Sequence, residues 1–363
     1  MSSQQGRKWL VFACTFTFIF AVNSSLVPSE RIKCTQGTIC AVNKNSLDFF
    51  VIGDTGGISL DVGDKFLNFI QPTEIQARTA NVMANVAAKN GQPDFVVNVG
   101  DNVYWSGVDN VIDQRFETVF ENVYDKDNLL VPFYMIAGNH DWLGNVTAQV
   151  LYTNYSNTIV LCGNSVDVDG RSIIAWMNAR KQVPNKPDPP NEKLAEEQWQ
   201  WIEEQLKQSR ADYLFVVGHY PIHSISAHGP VKCLADKLDP LLRKYQVTAY
   251  FSGHDHSMQL FRSENPGSAN PMYYIVSGVG SRKDYSTKHM ADDGESLVYH
   301  WPRQENIPWW KFWRKYTGHI GYGWGGFARF HLEHDQATAQ FYVDEGGNLE
   351  HQEVMKATLT KDI

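Results

Sequence analysis

Cysteine is scarce in this chain, basic residues are outnumbered, and no apolar run reaches the length of a membrane span. Five cysteines in 363 residues exclude a small scaffold built on disulfides, so stability has to come from a hydrophobic core. Lys plus Arg number 32 against 40 Asp plus Glu, a formal charge of −8. That balance argues against a nucleic-acid binder, which needs a basic face to meet phosphates. A net acidic protein still binds phosphate when it holds metal ions, because the ions bring the positive charge. Neither a collagen-like nor a disordered composition is present, and no internal repeat of solenoid period is visible. What is there is length and apolar content, 363 residues at 43% hydrophobic, enough for one large domain or two ordinary ones.

The N-terminus carries Arg7 and Lys8, an apolar run from Trp9 to Val22, then Asn23, Ser24 and Ser25. A basic flank, a short apolar stretch and a small polar exit have the shape of a secretory signal peptide. The run falls short of the roughly 20 residues a membrane span needs. The expected organisation is a signal peptide over 1–25, a polar leader over 26–45, one domain over 46–345 and a tail over 346–363. Secretion, or delivery to a lysosomal or endosomal lumen, follows from that reading, with no stable membrane insertion. Cys14 would leave with the signal, and Cys34, Cys40, Cys162 and Cys233 would remain. Four cysteines allow three pairings, and sequence alone does not choose. The short separation points to Cys34–Cys40, which would leave Cys162–Cys233. Asn145-Val-Thr and Asn154-Tyr-Ser are N-glycosylation acceptors of the kind a secreted surface loop offers.

From Leu47 onward, short apolar runs alternate with amphipathic stretches. LDFFVIGD (47–54), DFVVNVGD (94–101), FYMIAGNHD (133–141), YLFVVGH (213–219), VTAYFSGH (247–254) and MYYIVSG (272–278) predict strands, being rich in β-branched and aromatic residues. Helical patterns lie near 73–89, 110–122, 192–208 and 233–244, and Leu194, Trp199, Ile202 and Leu206 share one helical stripe. Strand alternating with helix predicts an α/β layered domain with a largely parallel component. Five of the strands run straight into Gly plus polar residues able to bind a metal. These are Gly53-Asp54, Gly100-Asp101-Asn102, Gly138-Asn139-His140-Asp141, Gly218-His219 and Gly253-His254-Asp255-His256. One Gly-Asp pair is usually a turn. Five such strand ends in order place Asp, Asn and His where open α/β sheets bind ligands, beyond the carboxyl ends of the strands.

With Tyr104 added, these blocks read Gly-Asp-Thr-Gly, Gly-Asp-Asn-Val-Tyr, Gly-Asn-His-Asp, Val-Val-Gly-His and Gly-His-Asp-His. The chain thereby resembles the purple acid phosphatases, in particular the small mammalian tartrate-resistant type, closely over about 47–141 and 161–280. The resemblance implies a calcineurin-like metallophosphoesterase fold: two mixed β-sheets packed face to face and flanked by helices, an α/β/β/α sandwich. It implies that Asp54, Tyr104, His256 and a bridging Asp101 hold Fe(III). It implies that Asn139, His219, His254 and the same Asp101 hold a divalent ion, Fe(II), Zn(II) or Mn(II). The chemistry of the donors agrees, since carboxylate and phenolate suit the harder trivalent ion and imidazole the softer divalent one. A phenol titrates near pH 10, so ligation in acid needs a strong Lewis acid. A phenolate–Fe(III) charge-transfer band would colour such a protein purple. His140 and His228 are expected at the phosphate, as hydrogen-bond donors and general acid. The implied reaction is acid hydrolysis of phosphate monoesters by a metal-bound hydroxide in line, with small phosphate esters or phosphoproteins as substrates and a monomer as the working form. The ferric/ferrous pair also implies a second, peroxidative activity.

Three segments depart from the family. Between Asp141 and Cys162 the family carries two further strands that are absent here, which predicts exposed sheet edges and raises a catalytically weak binding protein as a rival reading. Residues 281–325 hold five of the eleven tryptophans, with Trp309-Trp310-Lys311-Phe312-Trp313 able to touch a membrane surface, cover the cleft or fold onto the core. The Asp188–Glu192 region matches a loop the family uses for proteolytic activation. Other di-metal phosphoesterases carry Gly-Asp-x-His in the first block and no Tyr after the second, so Thr55-Gly56 and Tyr104 disfavour them.

Overall fold

The computed structural model describes residues 10–13, 17–22, 46–59, 70–156, 158–161, 192–209, 211–303, 318–334, 336–344 and 348–356. Runs of β-branched and aromatic residues become strands, of which Phe95–Asn98, Phe133–Met135, Tyr213–Gly218, Ala249–Ser252 and Met272–Ser277 are buried along their whole length. In chain order the strands are β1 (Leu10–Ala13), β2 (Thr17–Val22), β3 (Leu47–Ile52), β4 (Ile58–Ser59), β5 (Ile70–Gln71), β6 (Phe95–Asn98), β7 (Phe133–Met135) and β8 (Ile159–Leu161). They continue with β9 (Tyr213–Gly218), β10 (Ala249–Ser252), β11 (Met258–Ser263), β12 (Met272–Ser277), β13 (Leu297–Trp301), β14 (Gly326–Leu332), β15 (Gln336–Val343) and β16 (Asn348–Lys356).

Two seven-stranded sheets result, in the orders β1-β2-β9-β10-β12-β11-β13 and β16-β15-β14-β3-β6-β7-β8. In the second sheet β3, β6, β7 and β8 are parallel, and in the first β9, β10 and β12 are parallel. The outer pairs are antiparallel, so both sheets are mixed. Between the sheets lies an aromatic core in which Phe49 stacks on Phe95 and Phe330 at 5.1 and 5.0 Å and meets Phe215 edge-on. The outer face of the second sheet is covered by helix Glu74–Asn90, and that of the first by helices Glu192–Gln208 and Lys232–Lys244. Two layers of sheet inside two layers of helix are the expected sandwich. Helix Glu74–Asn90 starts where the Thr73 hydroxyl accepts from Gln76 N at 3.0 Å. Trp199, Ile202 and Leu206 of the expected stripe are buried.

Two differences from the sequence reading have local causes. The helix expected at 110–122 begins only at Arg115. Before it, Asp113 bonds back to Asp109 N and Arg115, a side-chain closure that replaces a helical turn. The segment read as a tail continues the second sheet, because β16 pairs along β15 and buries Met355. Within the expected signal, residues 10–13 and 17–22 form β1 and β2, and β2 pairs antiparallel with β9 from Thr17↔Gly218 to Val22↔Tyr213. Between Asp141 and Ile159 the chain forms only a short 3-10 turn and helix Val146–Tyr152 before β8 joins β7.

Of the Trp-rich segment, Trp301 and Trp324 fold inward, each ring 5.4 Å from the Lys283 ammonium. Trp309, Trp310 and Trp313 lie outside the described residues, as do Cys34, Cys40, Cys162 and most of 188–192. Cys233 is buried. Asn145 and Asn154 are exposed. The Asn145 amide oxygen also caps helix Val146–Tyr152. No helix among the described residues is long and apolar enough to cross a membrane.

Candidate metal centre

The parallel strands β3, β6, β7, β9 and β10 all point their carboxyl ends at one place. Asp54 follows β3, Asp101 follows β6, Asn139 and His140 follow β7, His219 follows β9, and His254 and His256 follow β10. The chain turns sharply there: Asp54, Asp101 and His254 all have positive φ, at 57°, 55° and 65°. Such backbone strain is held only where the surroundings determine it, and it collects at functional sites. Two glycines let the strand ends close on each other. A Cβ on Gly138 would lie 2.2 Å from Asp101 Oδ1, and one on Gly253 would lie 2.3 Å from Asp54 Oδ2.

The donors form two groups, and Asp101, in contact with the second, also acts electrostatically on Tyr104 of the first. In one, Tyr104 Oη donates to Asp54 Oδ1 at 2.9 Å and lies 3.0 Å from His256 Nε2, itself 3.5 Å from Asp54 Oδ1. In the other, His219 Nε2 lies 3.0 Å from Asn139 Oδ1 and 3.4 Å from Asp101 Oδ2. Nitrogen or oxygen atoms of Asp101, His219 and His254 fall within 4.8 Å of one another, as one ion would require. His219 Nδ1 donates to Val99 O at 2.9 Å, which leaves Nε2 turned to the cluster as a ligand atom. Asp54, Asp101, Tyr104 and His219 are all at most 4% exposed.

Buried charges of both signs set the acid–base state. Burial would raise the Asp101 carboxyl, but His219 and His140 outweigh it and hold it well below the ordinary carboxylate range. Burial opposes protonation of His219, yet Asp101 and Asp54 raise it to about 9. His254 is pushed well below its ordinary value by burial and by His219 and His228. Burial, Asp54 and Asp101 drive the Tyr104 phenol well above 10, so it stays protonated until a cation takes the place of that proton. The residues therefore fit two cations: anionic and phenolic oxygens on one side, an amide and two imidazoles on the other, a carboxylate between.

His140 sits beside this cluster. Its main-chain N–H donates to Asp101 Oδ1 at 2.9 Å, and its Nδ1 lies 2.6 Å from the Trp105 carbonyl. The His228 ring is 4.4 Å from that of His254. All nine residues singled out from the sequence are thus brought together. Two others had been assigned no role. Asp141 accepts from the main-chain N–H groups of Asn102, Val103 and Gly138 and from Gln149 Nε2, tying the turn after β6 to the turn after β7. Its place in the Gly-Asn-His-Asp block was the available signal. Arg282, 2% exposed, lies 4.5 Å from the Tyr104 ring and 3.7 Å from the Trp105 ring, and nothing in the local sequence marks it.

The calcineurin-like phosphoesterase family matches residues 47–258. Among characterised proteins, tartrate-resistant acid phosphatase type 5 of Homo sapiens is 32% identical, over 84% of this chain and 89% of its own length. The Oryctolagus cuniculus protein of the same name is 36% identical over the same shares. The chain belongs to the purple acid phosphatase branch of the calcineurin-like phosphoesterases. Purple acid phosphatase 7 of Arabidopsis thaliana is 28% identical over 93% of each chain. Among solved structures, purple acid phosphatase PPD1 from yellow lupin superposes with a TM-score of 0.55 at 13% identity, over 94% of this chain and 59% of its own. GAP50, the anchor in the inner membrane complex of Plasmodium, gives 0.63 at 21% identity over 88% and 91%. At those identities the structures share the fold. As a purple acid phosphatase-like chain, this protein carries the site of a dimetal phosphoesterase.

Proposed function

We propose that this protein is an acid phosphatase, secreted or delivered to the lysosomal or endosomal lumen, that hydrolyses phosphate monoesters at a binuclear Fe(III)–M(II) centre. M is Fe, Zn or Mn. Asp54, Tyr104 and His256 hold the ferric ion, Asn139, His219 and His254 hold its partner, and Asp101 serves both. When bound, the two cations supply Lewis acidity that activates water and neutralises charge on the phosphoryl group.

The chain's own residues orient the ester and manage its protons. The Trp105 carbonyl only accepts, so His140 Nδ1 carries the proton between them and Nε2 is left for the phosphoryl oxygens. With Nδ1 so occupied, His140 donates from Nε2 only when both ring nitrogens carry a proton. His228, exposed at the rim, is placed to protonate a leaving alkoxide. The observation that carries this reading is Tyr104, a wholly buried phenol whose hydroxyl, among the described residues, bonds two other expected ligands, Asp54 and His256. The working form is a monomer acting on small phosphate esters or phosphoproteins, with no nucleic-acid partner. Residues 1–25 are a removable leader in this reading.

The test is metal analysis and a visible spectrum of the purified protein, with hydrolysis of an aryl phosphate at about pH 5. Two metals per chain, purple colour and turnover are expected. Colourless, metal-free, inactive protein would favour the second reading, a shortened secreted binding protein, which rests on the brief connection between Asp141 and Ile159.

A further inference from the structure

His228 has an unusual support. It is exposed, and among the described residues its imidazole makes no hydrogen bond, only a ring contact with His254. Its position therefore depends on its main chain. That main chain belongs to a loop from Pro221 to Val231, closed at its base by Val231 N donating to Pro221 O at 3.1 Å. At the tip, His228 N donates to Asp255 Oδ1 at 2.9 Å and Gly229 N to Asp255 Oδ2 at 3.2 Å. From the near side of the loop, Ser224 Oγ donates to Asp255 Oδ2 at 2.5 Å.

Asp255 is wholly buried and lies between His254 and His256 in the chain. One carboxylate thus gathers two main-chain donors and one hydroxyl from both limbs of the loop and fastens them to the turn that bears two candidate ligands. Only a carboxylate suits these three donors, because it accepts at both oxygens and donates at neither. An amide in its place would turn an NH2 group toward an N–H. A second brace stands behind it: Gln259 accepts from Ile225 N at 2.9 Å and donates to Ser224 Oγ at 2.9 Å.

We propose that Asp255 is a positioning residue for His228: it holds the histidine at a fixed place over the metal centre by gripping the main chain beneath it. The idea rests on the role given to His228 above. It goes further in assigning the precision of that role to a residue that touches neither metal nor substrate.

A cycle of His228→Ala, Asp255→Asn and the double variant tests it, using the metal-loaded full chain. The substrates are p-nitrophenyl phosphate and glycerol phosphate, whose leaving groups differ in their need for a proton. Asp255→Asn should lower kcat about tenfold or more on glycerol phosphate, the scale of lost outer support at a metal site. The loss should be smaller on the nitrophenyl ester, with KM and metal content little changed. In the His228→Ala background the same change should cost nothing further. Losses that multiply, or metal content that falls with activity, would overturn the proposal. Ser224→Ala keeps the charge and removes one donor; a weaker loss, again absent beside His228→Ala, is expected if Asp255→Asn folds poorly. Histidine-labelled NMR separates this proposal from the proposed function. The His228 ring signal, identified by its loss in His228→Ala, should shift and broaden in Asp255→Asn. An unmoved signal refutes the positioning even in an active enzyme, and a moved one supports it even if wild type hydrolyses neither ester.

Discussion

The two halves of the metal centre are built from opposite materials. Around Tyr104 the donors are a carboxylate, a phenol and one imidazole, linked by bonds of 2.9 and 3.0 Å. Around His219 they are an amide and two imidazoles, and the nearest carboxylate oxygen is that of Asp101 at 3.4 Å. The first half resists losing its proton, since the Tyr104 phenol is driven up. The second is divided, with His219 raised and His254 lowered. Without ions, then, one half stores a proton on a phenol and the other on an imidazole beside a carboxylate. A site of this kind distinguishes two ions by donor hardness.

Removing the group common to both halves should have the largest effect. Asp101→Ala is expected to empty both sites and reduce phosphate ester hydrolysis by about 10³-fold or more, as judged by metal content and turnover. His228→Ala removes no candidate ligand and should lower turnover by roughly 10²-fold, chiefly on poor leaving groups, while both metals remain. Tyr104→Phe breaks the first half alone. Colour should vanish, the ferric ion should be held about 10- to 100-fold more weakly, and the divalent ion should remain. Retention of colour would remove the phenolate from the ligand set.

A finer test uses the two glycines. Gly138→Ala presses on Asp101 and Gly253→Ala presses on Asp54. Each should cost about 1–3 kcal/mol in thermal or denaturant unfolding. Gly253→Ala should perturb the visible band more, because its neighbour bonds Tyr104 directly.

The smallest effect is in pH dependence of the metal-free protein. His219 has its folded value raised from 6.5 to about 9, so its contribution is full below 6.5 and is lost as pH climbs through about 9. Asp101 is depressed, so its contribution is present above its ordinary 3.8 and is lost only as pH falls far below it. His254, held below its ordinary 6.5, opposes this on the acid side, because its unfolded form takes up a proton there; metal-free melting temperature should therefore fall as pH climbs from about 6.5 through about 9, and metal loading should flatten that decline.

Much of this centre was legible from residue order because its ligands lie at strand ends. A Gly followed by Asp, Asn or His after an apolar run marks both a turn and a donor, and parallel strands bring such ends together. Asp141, Asp255 and Arg282 were less legible. Their work is to hold main chain or to face a ring, and neither task leaves a spacing pattern. The edges were the least legible. Residues 348–356 read as a tail because their polar alternation, Glu350, Gln352 and so on, is that of a half-solvated strand that needs β15 beside it to exist.

The N-terminal segment shows the same limit more sharply. Trp9–Val22 has the composition of a leader, while the structure lays Thr17–Val22 along β9. N-terminal sequencing of the mature protein decides between removal and retention. An apolar, β-prone run satisfies both roles, and an open sheet edge accepts any strand that reaches it.

By itself the sequence determined the donor set, the order of the strand ends and the layered α/β class, because periodicity and turn residues are local properties. Only the tertiary structure decided which candidate donors lie side by side, which carboxylates grip main chain, and what pairs with β9. Those outcomes depend on distances between atoms far apart in the chain, such as Asp54 and His254 two hundred residues away, and no local pattern encodes them.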